Sequence, residues 1–408
     1  MQDAIFPQQK NMKLLAQHTL NNYGGIGEGI AMQMHSDGRR ILWLAHENAP
    51  KNFSAVDVTD PLNMKLIVQT DLPHAKIRSN SLEVSGDLMA VAYQVSEPGL
   101  APAGFDLFDI SIPEKPRLIS HFDASAPHSR GAHCLWFVDG KTIHMACSDP
   151  ELVPHNQKDD QIYRIVDVSN PSKPEAVGRW HLPGTMKGDS APPPERLAPE
   201  FDSGFRAHNT NVYPQRPDRC YLGYLDAGAF IMDISDLSRP TPISSFVHSP
   251  PFKGFTHTAM PLFDRELLVI SDETVQDNAK DWPKLVWLVD MSDERNLVSV
   301  STLPMPPVEV YGKRGGRYGA HNIHENTPVP GSWVSDEIIV CSYFNGGIRA
   351  YDIRDQYSPR EIAYYVPDAP ANSPVGAIQF NDVFVDDRGL VFAVDRHSGG
   401  LYVLEMKV

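Results

Sequence analysis

The chain has 408 residues, 41% hydrophobic and 21% charged, with a formal net charge of −15, the composition of a soluble globular protein rather than a disordered or fibrous one. That charge leaves no basic stripe to neutralise phosphates, which excludes nucleic acid and anionic lipid as partners, and no apolar run reaches the length of a transmembrane helix. Four scattered cysteines (Cys134, Cys147, Cys220, Cys341) and an N-terminus without an apolar secretory segment point to a cytoplasmic protein, with neither a disulfide framework nor a cysteine-based zinc site.

Read in chain order, the sequence repeats itself. Phe53-Ser-Ala-Val-Asp57-Val-Thr-Asp-Pro61 returns as Phe105-Asp-Leu-Phe-Asp109-Ile-Ser, Tyr163-Arg-Ile-Val-Asp167-Val-Ser-Asn-Pro171, Phe230-Ile-Met-Asp233-Ile-Ser, Val286-Trp-Leu-Val-Asp290-Met-Ser and Ile348-Arg-Ala-Tyr-Asp352-Ile-Arg. A degenerate seventh copy, Leu401-Tyr-Val-Leu-Glu405, closes the chain. The acidic positions recur roughly every 50 to 65 residues, the spacing of propeller blades rather than of helical repeats. Each copy is a β-prone run ending in an acid and a Ser or Thr, which serves a turn, and two further strand-like runs precede it. Four strands per repeat make a propeller blade.

The last copy has no fourth strand of its own. Asn11-Met-Lys-Leu-Leu-Ala-Gln17 nearly duplicates Asn63-Met-Lys-Leu-Ile-Val-Gln69, the fourth strand of the first copy. The fold expected is therefore all-β: a single seven-bladed β-propeller spanning residues 1–408, closed by the N-terminal strand completing the last blade. Its blades run approximately over 22–73, 74–124, 125–183, 184–250, 251–306, 307–367, and 368–408 with 11–21. Two insertions, Gly184 to Ser203 and Pro306 to Gly319, fall on one face, where long loops carry function.

Aligned by their apolar alternation, the innermost strands begin at Gly29, Asn80, His133, His208, His257, His321 and Asn381. Four consecutive blades thus place histidine where the strand meets the central channel. At about 51° per blade these imidazoles span half the ring and can face one divalent transition metal: iron, copper or manganese, with zinc also compatible. A histidine at one strand start is ordinarily a local cap. Four in one register, with three blades keeping the repeat and lacking the histidine, favour His133, His208, His257 and His321 as ligands. The side facing Asn80, Glu28 and Asn381, with His397 at the end of an adjoining second strand, is left for a small-molecule substrate.

His324, three residues beyond His321, is an alternate ligand or proton donor. Glu28, Glu273 and Glu325 are candidate partners of the histidines' outer nitrogens, and Glu28 and Glu325 candidate general bases. Arg78, Arg130, Arg206 and Arg317 each lie two to four residues before a strand start. They either capture an anionic substrate or pair with loop acids and stiffen the rim. No nucleotide cofactor is expected, because Gly312-Lys-Arg-Gly-Gly fits neither a phosphate loop nor a dinucleotide fingerprint.

The Val-Asp-Val-Ser-Asn-Pro and Met-Asp-Ile-Ser-Asp units resemble the LVIVD-repeat proteins, a bacterial β-propeller family, and the resemblance implies an architecture rather than an activity. More distantly the chain is similar to the selenium-binding protein/methanethiol oxidase family, whose cysteine motifs are not evident here. In arrangement only it resembles the carotenoid-cleaving oxygenases, whose propeller holds iron with four histidines. Those likenesses imply the ligand role for the same four histidines. Three functions follow: a metal-dependent oxidoreductase at the channel mouth, a redox-inert lyase acting on a carboxylated substrate, or a non-catalytic propeller that binds a protein partner. The sequence leaves the oligomeric state open.

Overall fold

In the computed structural model, residues 7–196 and 199–408 are described. Seven antiparallel sheets stand around a central channel as the blades of a propeller, in plain agreement with the repeat. The first runs outward from the channel through Ile26–Met34, Arg40–His46, Lys51–Asp57 and Lys65–Asp71, and the third through Ala132–Trp136, Thr142–Ser148, Gln161–Asp167 and Glu175–Trp180. Second strands such as Arg40–His46 are packed by a neighbouring blade on both faces and read as unbroken apolar runs. Outer strands such as Lys65–Asp71 stay half exposed.

The repeated acid serves its turn. Asp57, Asp109, Asp167, Asp233, Asp290 and Asp352 each accept the backbone N–H two residues on, at 2.8–3.0 Å, which fixes the turn between the third and fourth strands. None of the six faces the channel mouth.

Ring closure is double. Met12–His18 pairs antiparallel with Leu401–Met406, Met12 opposite Met406 and His18 opposite Leu401, and so completes the last blade. Just upstream, Gln8–Lys10 pairs with Arg360–Val366 of the sixth blade. Asn11, at φ 50°, turns the chain between the two. Met12 is buried against Val340, Ala363, Tyr402 and Leu404 of the blades it joins. One segment therefore covers two sheet edges that would otherwise be open to another chain.

The sixth blade departs from regularity where the sequence expects an inner strand. Around His321 the chain forms no regular strand and meets Ile338–Ser342 through separate bonds, among them His321 N to Ser342 O (3.1 Å), Ser342 N to Asn322 O (2.8 Å) and His324 N to Val340 O (2.8 Å), with an isolated bridge, Ile323 to Cys341. The inserted segment before it includes one helical turn, Val308–Tyr311. Among the described residues no helix is long and apolar enough to cross a membrane.

Candidate metal centre

The channel-mouth residues share a local device. In the third blade Ala132 opposes Cys147 and Cys134 opposes Ala146, which leaves His133 as the extra residue of a β-bulge. His257 lies between Thr256 and Thr258 in the same way, as does Asn381 between Phe380 and Asp382. At His208 and His321 one residue of the second strand, Gly223 or Ser342, bonds two successive residues of the inner segment. A bulge re-aims one side chain without ending the sheet, and here it turns four imidazoles into the channel. The first blade uses a larger irregularity: Ile26 opposes His46 and Ile30 opposes Leu44. Glu28 projects from that irregularity, between two glycines. A Cβ on Gly27 would lie 2.4 Å from Asn80 O, and one on Gly29 2.4 Å from Leu82 N. Only glycine lets this strand press against the second blade and carry Glu28 to the centre.

There the Glu28 carboxylate stands among all four histidines. Its Oε2 is 3.9 Å from His133 Nε2, 3.6 Å from His208 Nε2 and 3.4 Å from His257 Nε2, and its Oε1 is 3.5 Å from His321 Nε2. His133 Nε2 and His208 Nε2 are 2.8 Å apart. Nitrogens bound at about 2.05 Å to one ion sit about 2.9 Å apart at right angles and about 3.3 Å apart in a tetrahedron, so this pair has the spacing of two ligands. His257 Nε2, His321 Nε2 and Glu28 Oε2 are buried without a hydrogen-bond partner among the described residues, a state buried polar atoms rarely keep without a ligand. The ligand atoms fall into two overlapping sets, each within 4.8 Å: Glu28, His133 and His208, and Glu28, His257, Glu273 and His321.

The outer nitrogens fix the tautomers. Gln94 Oε1 accepts from Arg78 Nε (2.8 Å) and Nη2 (2.6 Å) and also faces His133 Nδ1 at 2.9 Å. A carbonyl oxygen can only accept, so His133 carries its proton on Nδ1 and presents a lone pair at Nε2. His208 Nδ1 lies 2.8 Å from Asn209 Oδ1, whose Nδ2 donates to Glu325 Oε1, and that orients the amide. His257 Nδ1 meets Thr258 Oγ1 at 2.7 Å, and the Thr258 hydroxyl is itself bonded to Glu325. Glu325 thus sits behind two ligand histidines at once. His321 stacks on Phe344 (4.6 Å between centroids, 14°), which in turn lies under the Arg317 guanidinium.

Burial pushes His133 well down and His208 to about 3, so both are neutral, as metal ligation requires. Burial alone would raise Glu28. The close approach of the His257 and His321 imidazoles outweighs it and holds the carboxyl well below its usual range, while Glu28 in turn raises His257 against its own burial. On the rim side a cavity of about 320 Å³ is lined by Glu47, Arg78, Gln94 and Arg130. On the channel side a space of about 30 Å³ is lined by Glu28, Glu83, Asn211, Glu325 and Asp382. Burial and the nearby Glu325 carboxylate push Glu83 and Asp382 well up, and burial raises Glu325.

Several residues expected at the site stand elsewhere. His324 does not join the cluster: Val385 N–H donates to its Nδ1 (3.2 Å) and its Nε2 faces Trp333 O (2.7 Å), so both nitrogens are spent on backbone. Asn381 Nδ2 donates to Ile26 O (3.0 Å), tying the last blade to the first. Asn80 lends its backbone oxygen to Glu28 N, and its buried amide has no partner among the described residues. His397, half-buried near Asp395, lines a surface cavity with Tyr23 and Lys51. Three of the four arginines take the rim-stiffening alternative: Arg78 pairs with Glu47 (2.6 Å), Arg130 with Asp160 (2.6 Å) and Arg317 with Glu273 (2.7 Å). Among the described residues Arg206 bonds neutral partners, Gln161 Oε1 and Ser203 O. Cys134 is buried and its thiol pushed well up, which removes it as a nucleophile.

Sequence reasoning missed Gln94, Asn209, Thr258, Glu47 and Arg396, the last of which pairs with Glu47. One signal was present: Gly27-Glu28-Gly29 marks a point of close backbone approach carrying a charge.

The model of the LVIVD repeat family matches residues 160–181 and 220–247, which lie in the third and fourth blades. No curated protein matches the chain.

Proposed function

We propose that this LVIVD-repeat propeller is a metal-dependent enzyme, with iron or copper held by Nε2 of His133, His208, His257 and His321, and that it acts as an oxidoreductase on a small anionic organic substrate. The observation that carries the reading is the set of inward-turned imidazoles: one pair at ligand spacing, two fixed in the ligating tautomer by acceptors behind them, and two Nε2 atoms left buried and unbonded. Such a donor set suits borderline transition ions. A redox-active ion held by these histidines would supply electron exchange with substrate or dioxygen. Glu28 is placed to take or return a proton at the Nε2 cluster. Substrate reaches the cluster from the rim cavity beside Arg78 and Gln94, and Arg206, the rim arginine without a carboxylate partner among the described residues, attracts its negative charge.

The same Arg206 favours a second reading, a redox-inert lyase whose metal clamps a substrate carboxylate. Metal analysis of protein purified without chelators separates the two. Iron or copper is expected at stoichiometric level, whereas manganese or calcium transfers the proposal to the lyase. Protein that takes up no metal on reconstitution leaves only a propeller that binds another protein. His257→Ala is expected to lower occupancy at least tenfold, and full occupancy in that variant refutes the ligand assignment.

A further inference from the structure

The four histidines can be served by one ion or by two. Their ligand atoms form two sets that share only the Glu28 carboxylate, and this division has a chemical meaning. His133 and His208 present two nitrogens 2.8 Å apart, with Glu28 Oε2 at 3.9 and 3.6 Å. His257 and His321 present two more, with Glu28 oxygens at 3.4 and 3.5 Å and with Glu273 Oε1 3.5 Å from His321 Nε2. Glu273 is 4% exposed, comes from the end of the second strand of the fifth blade, and is held in place by Arg317 Nη1 at 2.7 Å.

We infer that the centre is dinuclear: one ion lies between His133 and His208, a second between His257, His321 and Glu273, and the Glu28 carboxylate bridges them. The inference rests on the metal-enzyme reading above. Two ions sharing a carboxylate lie about 3.5–4 Å apart, which matches one carboxylate serving two neighbouring imidazole pairs. It also accounts for atoms that one ion leaves idle. A single ion between His133 and His208 leaves His257 Nε2 and His321 Nε2 buried and unbonded. A single ion between His257 and His321 leaves two imidazole nitrogens facing each other at 2.8 Å with a lone pair on each. Glu273 contributes the hard oxygen that the second site has and the first lacks, so the two ions differ in donor set: two nitrogens and one bridging oxygen against two nitrogens and two oxygens. Such a pair clamps both oxygens of an anionic substrate.

The test is stoichiometry. Metal-free wild type is titrated with Mn(II), and bound metal per chain is counted after dialysis and followed by electron paramagnetic resonance. Two equivalents are expected, the second collapsing the six-line signal of an isolated Mn(II) through coupling across Glu28. Glu273→Gln is expected to bind one equivalent and to keep the isolated six-line signal, and His133→Ala, with a melting curve like wild type, to do the same at the other site. One equivalent in wild type overturns the dinuclear inference while leaving the metal-enzyme reading intact. None overturns both. Two equivalents retained in Glu273→Gln, or two without coupling, place the second ion elsewhere and overturn the inference.

Discussion

His324 tests whether a histidine beside the centre acts on the chemistry or on the fold. It lies three residues past a ligand, yet both its nitrogens hold backbone of the sixth and seventh blades, and its ring packs on Trp333 (6.2 Å, 25°) and edge-on to Phe384 (5.4 Å, 87°). Burial lowers its pKa from 6.5 to about 4. The folded protein therefore holds this proton more weakly than the unfolded chain does. The stability it contributes is complete above pH 6.5 and is lost as pH falls through about 4. Each unit is worth about 1.4 kcal/mol, so wild type gives up about 2 kcal/mol at this one residue between pH 7.5 and 5. His324→Gln keeps one donor and one acceptor but loses the ring contacts, a cost of about 2 kcal/mol at pH 7.5. The variant does not titrate, so the gap between the two proteins is expected to close near pH 5. Urea unfolding of metal-free protein at pH 7.5, 6.0 and 5.0, with metal content measured in parallel, checks this. A gap constant with pH, or a variant that keeps its stability and loses its metal, returns His324 to the site and refutes the structural role.

Three further outcomes are expected. Glu325→Ala removes the shared acceptor behind Asn209 and Thr258 and is expected to weaken Co(II) binding 10- to 100-fold. Glu83→Gln, in the same acid-lined space but without those hydrogen bonds, leaves the affinity unchanged; equal effects of the two would make charge, not hydrogen bonding, the cause. Asp226, whose carboxyl burial pushes up to about 6, binds its proton more tightly when folded, so its contribution is full below about pH 4 and is lost as pH rises through 6. Asp226→Asn should therefore exceed wild type by up to about 3 kcal/mol at pH 8 and match it near pH 4, as read by chemical denaturation. Deleting residues 1–18 exposes the edges of Arg360–Val366 and Leu401–Met406, and light scattering should show association; a stable monomer would mean that the N-terminal clasp is dispensable.

The architecture was legible because the repeat is written in turn chemistry: six acids each bond the amide two residues on, and that requirement survives any drift in the strands between. The duplicated Met-Lys-Leu motif located the closing strand for the same reason, since an outer strand must present the same faces in whichever blade it sits. Gln8–Lys10 was not legible: three polar residues at a sheet edge carry no alternation to read, and only the backbone of the sixth blade specifies them. The histidines were legible as a register and not as a grouping. Period-two reasoning says which residues share a face, but a bulge adds a residue and rotates one side chain out of that count.

The residues behind the ligands were illegible for a different reason. Asn209 and Thr258 each follow a histidine by one position, which strand alternation would send to the opposite face, so sequence reasoning discards them as partners of their neighbours. The bulge undoes that assignment: adjacent side chains turn toward each other, and the amide or hydroxyl next in sequence closes on Nδ1 at 2.8 or 2.7 Å. The arginines show the converse. Their spacing before each strand start was real, but whether a rim arginine meets an acid depends on the neighbouring second strand, which ends in Glu47 beside Arg78 and in Glu273 beside Arg317. Among the described residues no such acid meets Arg206, whose partners are an amide and a carbonyl oxygen. An enzyme that recognises an anionic substrate therefore depends on Arg206 more than on the three paired residues. Arg206→Gln is expected to raise KM for such a substrate at least tenfold with little change in kcat, because the contact is made equally in ground and transition states. Arg130→Gln should leave KM within a few-fold and lower stability instead, by stranding the buried Asp160. If the two variants exchanged these effects, the rim would bind substrate through its paired arginines and the assignment of Arg206 would fail.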